Sequence, residues 1–185
     1  MAQTESTMLE LGTVAPDFAL TDAVSGKTVQ RDDFRGKDAL LVLFICAHCP
    51  YVKHIEKSLG KLSADYAGKS LAIVAVSSND VTTHPADSPA GMKQQAKDNG
   101  FAFPYLYDET QSVAHAYKAA CTPDPYLFDK DFKLVYRGEY DDSRPGNGVP
   151  VTGKDLRAAI DLVLAGRPVP AEQKPSIGCN IKWKA

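Results

Sequence analysis

Cys46 and Cys49 stand two residues apart, with Ala47 and His48 between them and Pro50 directly after, and this is where the chain could do chemistry. Two thiols at this spacing can form and break a disulfide, because one helical turn brings them together. The reactive form is the thiolate, which a helix N-terminus stabilises through its free N–H groups and partial positive charge. The surrounding sequence supplies such a terminus. Residues 40–45 form an apolar run of buried-strand type. Pro50 suits the first turn of a helix. Beyond it Val52, Ile55, Leu59, Leu62 and Tyr66 recur at spacings of three and four, which makes one apolar helical face.

On this reading Cys46 attacks a substrate disulfide as thiolate, and Cys49 resolves the mixed disulfide. Oxidation should then link Cys46 to Cys49. His48 can lend positive charge to a thiolate. Two rival readings exist: inert core thiols, or a metal site completed by His48 or His54. A structural zinc site usually has a second ligand pair at regular spacing, and Cys121 and Cys179 are each single. No metal and no cofactor is therefore expected. Cys121 reads as a small buried residue. Cys179 is either a resolving thiol on a tail or a residue buried where that tail docks through Ile181 and Trp183.

The elements that must hold these residues fit one domain of 185 residues, at 44% hydrophobic and a net charge of −2. No run of like charge suggests a nucleic-acid or anionic-membrane partner. No stretch approaches the roughly 18 apolar residues of a membrane span, and residues 1–11 lack the layout of a signal peptide. A cytoplasmic setting is the expectation, where disulfides are transient and catalytic. Residues 1–11 read as a loose leader, 12–168 as the domain and 169–185 as an extended tail that docks on it.

Along the domain, a hairpin around Ser25-Gly26-Lys27 precedes the central strand and its helix. A second buried strand spans 70–77 and a loop 78–88. A helix follows, with Ser88 as cap, Pro89 as first residue and Gly100 as stop. A short strand at 104–107 and a short helix at 110–117 precede a hairpin made of 126–128 and 133–137. The last helix is capped by Thr152 and carries Leu156, Ile160, Val163 and Leu164 on its apolar face. Alternating strands and helices followed by a hairpin give an α/β fold, with a mixed sheet covered on both faces.

Several segments together carry a family resemblance. Ala15-Pro16-Asp17-Phe18, Phe44-Ile45-Cys46-Ala47-His48-Cys49-Pro50, Thr122-Pro123, Phe128-Asp129-Lys130-Asp131 and Gly178-Cys179-Asn180-Ile181-Lys182-Trp183 occur in the order found in thioredoxin-fold proteins of the alkyl hydroperoxide reductase/thiol-specific antioxidant type. The chain resembles the peroxiredoxin-like branch of that family from about Gly12 to its end. The resemblance implies a thioredoxin-like three-layer α/β/α fold with an N-terminal β-hairpin extension. It implies a cis Pro123 facing the cysteines, which would leave the Thr122 backbone free to pair with an extended substrate. It also implies a thiol–disulfide oxidoreductase acting on protein or small-molecule disulfides with an unidentified electron donor, or alternatively a thiol peroxidase acting on hydroperoxides. Peroxiredoxins carry a proline and a threonine or serine three and seven residues before the peroxidatic cysteine. Here Cys46 and Val42 precede Cys49 at those positions, and Leu43 and Ala39 precede Cys46.

Overall fold

The computed structural model describes residues 3–185. Its centre is strand β4 (Ala39–Phe44), all six residues of which are buried. Strands β1 (Gln3–Glu5), β2 (Ala19–Asp22) and β3 (Thr28–Gln30) precede it, with a 3₁₀ turn over Arg31–Phe34. After it come α1 (Pro50–Asp65), β5 (Leu71–Ser77), α2 (Pro89–Asn99), β6 (Tyr105–Tyr107) and α3 (Ser112–Ala116). The chain ends with β7 (Cys121–Thr122), β8 (Asp124–Asp129), β9 (Leu134–Tyr136), α4 (Lys154–Leu164) and β10 (Ile177–Asn180).

Seven strands form one mixed sheet in the order β3-β2-β6-β5-β4-β8-β9. β4 runs parallel to β5 and antiparallel to β8. Because strand side chains alternate between faces, β4 serves two cores. Leu41 and Leu43 pack with Val52, Ile55 and Leu59 of α1, Met92 of α2, and Leu156 and Ile160 of α4. Leu40, Val42 and Phe44 pack on the other face with Val113 and Ala114 of α3, Tyr117, Tyr126, Phe128 and Ile181. The three layers are thus unequal: three helices cover one face, while α3, residues 9–18 and the chain's end cover the other. Burying one Leu or Val of β4 is worth about 1.5–3 kcal/mol, which is why an uninterrupted apolar run occupies this position.

Helix boundaries follow local chemistry. The Ser88 hydroxyl accepts from the Gly91 N–H, Pro89 begins α2, and Gly100 ends it in the left-handed region at φ 65°. α4 begins one residue later than the Thr152 cap would place it. Gly153 is its N-cap, and the Asp141 carboxylate accepts from the Thr152 and Gly153 N–H groups at 2.8 and 2.7 Å. A carboxylate from a distant loop replaces the local hydroxyl.

A second, three-stranded antiparallel sheet has the order β1-β10-β7. The segment read as a loose leader therefore supplies an edge strand, pairing Gln3 with Cys179 and Glu5 with Ile177. Trp183, expected as an anchor, stacks on His115 at 4.3 Å but stays 40% exposed, whereas Ile181 is buried. Among the described residues, no helix is long and apolar enough to cross a membrane.

Candidate active site at the start of α1

The end of β4 delivers the cysteines. The β4–β8 register pairs Phe44 with Asp124, so the residues just before β8 lie beside the turn that follows β4. Those residues are Thr122 and Pro123, joined by a cis peptide bond. Pro50 is the first residue of α1 and Cys49 its N-cap. The helix terminus therefore acts on Cys49. Cys46 lies three residues earlier, in the turn.

Cys49 is not joined to Cys46. It forms a disulfide with Cys179 of β10, 130 residues away in sequence, with the two Cα atoms 6.2 Å apart. Cys46 and Cys121 carry no disulfide. This corrects the expectation that oxidation links the C-x-x-C pair. The physical reason is placement: β10 runs antiparallel to β7, with Cys179 opposite Thr122, and that pairing brings Cys179 onto the α1 terminus. Cys49 Sγ also lies 3.4 Å from the Thr122 carbonyl oxygen.

Cys46 is fully buried. Its sulfur lies 3.5 Å from Thr122 Oγ1 and 3.8 Å from His48 Nδ1. Burial, and then the negative charge of Asp87, push its thiol up to about 11. Cys46 therefore stays protonated near neutrality. Cys121 is buried as well, its sulfur near the Pro123 and Ser176 carbonyls, and burial raises its thiol far above the ordinary range.

His48 does not stand free between the cysteines. Its Nδ1 is hydrogen-bonded to the Asp87 carboxylate, and its ring lies against that of His84 with centroids 4.7 Å apart and the planes tilted by 32°. Asp87 is the residue that the sequence reading missed, since it falls inside the stretch 78–88 read as a plain loop. It is completely buried and accepts from the Ala47 N–H at 2.8 Å, the His48 N–H at 2.9 Å and the Asn79 side chain at 2.9 Å. One carboxylate thus fixes both residues between the cysteines. Gln95 of α2 fixes the turn from the other side, donating to the Cys46 carbonyl at 3.1 Å and accepting from the Tyr105 hydroxyl at 2.8 Å. Neither residue carries a local signal, because each acts across a long sequence separation.

Cys46 Sγ, His48 Nδ1 and an Asp87 oxygen lie within 4.8 Å of one another, a donor set that a metal ion could bridge. The Asp87 oxygens are already committed to four donors. His54, the other histidine near the cysteines, is instead held by Ser143 Oγ at 2.7 Å. Arg137 donates to the Leu9 carbonyl and to the Gln173 side chain, tying the last hairpin to the segments before and after it.

A parallel strand running into a helix with a cysteine at its N-cap, faced by a cis proline, is the site of a thioredoxin-like protein. The family model of the AhpC/TSA family matches residues 11–137, and the chain belongs to that family. It is similar to the "Thiol-disulfide oxidoreductase ResA" of Bacillus thuringiensis subsp. konkukian (strain 97-27), at 26% identity over 132 residues, 71% of each chain. The crystal structure of an uncharacterized conserved protein from Geobacillus kaustophilus superposes with a TM-score of 0.97 at 56% identity, covering 100% of this chain and 97% of that one. The thioredoxin domain of a thiol-disulfide oxidoreductase from Bacteroides vulgatus shares the fold, with a TM-score of 0.62 at 22% identity, covering 81% of this chain and 97% of that one.

Proposed function

We propose that this protein is a thiol–disulfide oxidoreductase acting on protein disulfides, with Cys49 as the exchanging thiol and Cys179 as its redox partner. The observation that carries this reading is that Cys49 caps α1 and is bonded to Cys179 directly opposite Thr122. A thiolate at a helix N-terminus is favoured by the helix dipole. Cys46, whose thiol is held at about 11, is a poor attacker near neutrality. Cys49 therefore takes the attack first read onto Cys46, and Cys179 takes the resolving role first read onto Cys49. Asp87 and Gln95 hold the turn, Pro50 starts the helix, His48 joins Asp87 to the neighbourhood of Cys46, and Thr122 and Pro123 form the facing wall. The resemblance to the ResA relatives supports the reaction class.

In the cycle, Cys49 thiolate attacks one sulfur of a substrate disulfide. A Cys49–substrate bond forms, and the other substrate sulfur leaves as thiolate. Cys179 thiolate then attacks the Cys49 sulfur, forms the Cys49–Cys179 disulfide and releases the reduced substrate. An external dithiol restores the two thiols and becomes a disulfide itself. The test is a paired stopped-flow assay of the reduced protein against a protein disulfide and against hydrogen peroxide. Rapid oxidation by the disulfide alone is expected. Rapid oxidation by peroxide with no reaction toward disulfides would overturn the reading.

A further inference from the structure

We propose that an extended polypeptide docked beside Thr122, where the family resemblance places a substrate, must carry glycine directly before its cysteine, and that β10 is the chain's own tethered copy of such a ligand. The proposal rests on the reading of Cys49 as the exchanging thiol and adds to it the class of substrate and the segment that competes with it.

The first observation is closure. Cys49 and Cys46 have no exposed surface, and Cys179 is 2% exposed. Thiol–disulfide exchange needs one sulfur to reach another, so no external sulfur meets Cys49 while β10 is in place. The arm is held by bonds that can be exchanged for others. Cys179 and Asn180 pair with Thr122 and Cys121, Gln3–Glu5 lines the other side, and the Ile181 N–H donates to the Ala120 carbonyl at 3.0 Å. The Ser176 hydroxyl donates to the Pro123 carbonyl, and the Lys182 N–H to Asn79 Oδ1 at 2.9 Å. Apart from the disulfide these contacts are non-covalent. A strand leaving this position exposes the main-chain donors and acceptors of β7, and an incoming extended peptide recovers the same bonds by strand addition.

The second observation sets the specificity. A Cβ on Gly178 would stand 1.9 Å from the Thr122 carbonyl oxygen and 2.6 Å from its carbon. Gly178 is needed here for close approach of two backbones, since its φ does not fall in the left-handed region. The obstacle is main chain and cannot rotate away. The flanking positions differ: Ile177 and Asn180 are only partly buried and leave room for other side chains. A cysteine presented to Cys49 in this register must follow glycine, and the residues on either side of that pair are free to vary.

The chemistry balances as a relay. Cys49 thiolate attacks the cysteine sulfur of the docked peptide's disulfide, and the peptide's former partner leaves as a thiol after taking a proton. The arm then returns, and Cys179 thiolate displaces the peptide as its thiolate. The substrate disulfide gains two electrons, and the Cys49/Cys179 pair loses two.

The test uses the full chain carrying Cys46→Ser and Cys179→Ser, so that Cys49 keeps neither neighbour. Two peptides, Ile-Gly-Cys-Asn and Ile-Val-Cys-Asn, each carry thionitrobenzoate on the cysteine sulfur. The release of the coloured thiolate reports attack by Cys49. The symmetrical small-molecule disulfide of thionitrobenzoate is the reference. The glycine peptide is expected to react at least about tenfold faster than the valine peptide, the ratio set by roughly 1.4 kcal/mol, while the reference reagent reacts at Cys49. Equal peptide rates with a reactive Cys49 would overturn the specificity and leave the Cys49 reading standing. No reaction of Cys49 with the reference reagent would overturn that reading, and the proposal with it. A second measurement uses the chain with all four cysteines and Gly178→Val alone. Displacement of the arm is expected to slow Cys49–Cys179 disulfide formation and to speed alkylation of reduced Cys49, each by at least about tenfold on the same scale. Unchanged rates of both would show that the close approach at Thr122 does not govern docking.

Discussion

Cys179 lies opposite Thr122 in the antiparallel pairing of β10 with β7, one residue before the cis Pro123. That pairing converts a residue near the chain's end into the partner of a helix N-cap. The oxidised wild-type protein, digested without reduction, is expected to yield a Cys49–Cys179 peptide pair by mass spectrometry. A linked Cys46–Cys49 peptide in its place would restore the pairing suggested by spacing alone.

Asp87→Asn removes the charge that acts on Cys46 together with burial, while leaving a side chain that can still accept from the Ala47 and His48 N–H groups. The Cys46 thiol should then titrate below about 11. Ultraviolet thiolate absorbance of the Cys49→Ser, Cys179→Ser chain, with and without Asp87→Asn, checks this. An unchanged titration would mean that burial alone sets the value.

Asp124 is fully buried at the start of β8, and burial raises its carboxyl from 3.8 to about 7. The folded state therefore holds a proton that the unfolded state has released between those values. Stability should fall as pH rises from about 4 to about 7. Asp124→Asn keeps an oxygen for the Tyr126 hydroxyl and abolishes the titration. Denaturant midpoints of the variant should be flatter across this window, and parallel curves for the two proteins would refute the assignment.

Gly60 lets α1 meet the end of α2, since a Cβ there would stand 1.8 Å from the Asn99 carbonyl oxygen. Gly60→Ala should destabilise by about 1–3 kcal/mol, as overpacking does, despite alanine's better helix propensity. Urea unfolding checks the sign, and a stabilised variant would show that the two helices separate at little cost.

Much of the large sheet was legible because its signals are local. The apolar run of β4, the amphipathic face of α1, and the Ser88, Pro89 and Gly100 punctuation of α2 each lie within one window of sequence. The three-stranded sheet was not legible. Its strands are two to four residues long, too short for periodicity, and its register joins the two ends of the chain. The site divides in the same way. The C-x-x-C pair and the cis proline were read from contiguous motifs. The Cys49–Cys179 partnership, the Asp87 bracket and the Gln95 contact depend on separations of 130, 40 and 49 residues. Spacing alone assigned the attack to Cys46: it placed Pro50 in the first turn of α1, as the structure has it, but carried no sign of the burial of Cys46 beside Asp87 or of Cys179 at the helix terminus.

The most direct test of Cys49 as the exchanging thiol is to trap its intermediate. The Cys179→Ser protein, reduced and mixed with a disulfide-bonded substrate protein, lacks the thiol that resolves the mixed disulfide. Non-reducing electrophoresis and peptide mapping should then find a stable covalent adduct on Cys49, absent from the wild type and from Cys49→Ser. An adduct on Cys46, or full turnover of Cys179→Ser through a Cys46–Cys49 disulfide, would contradict the assignment.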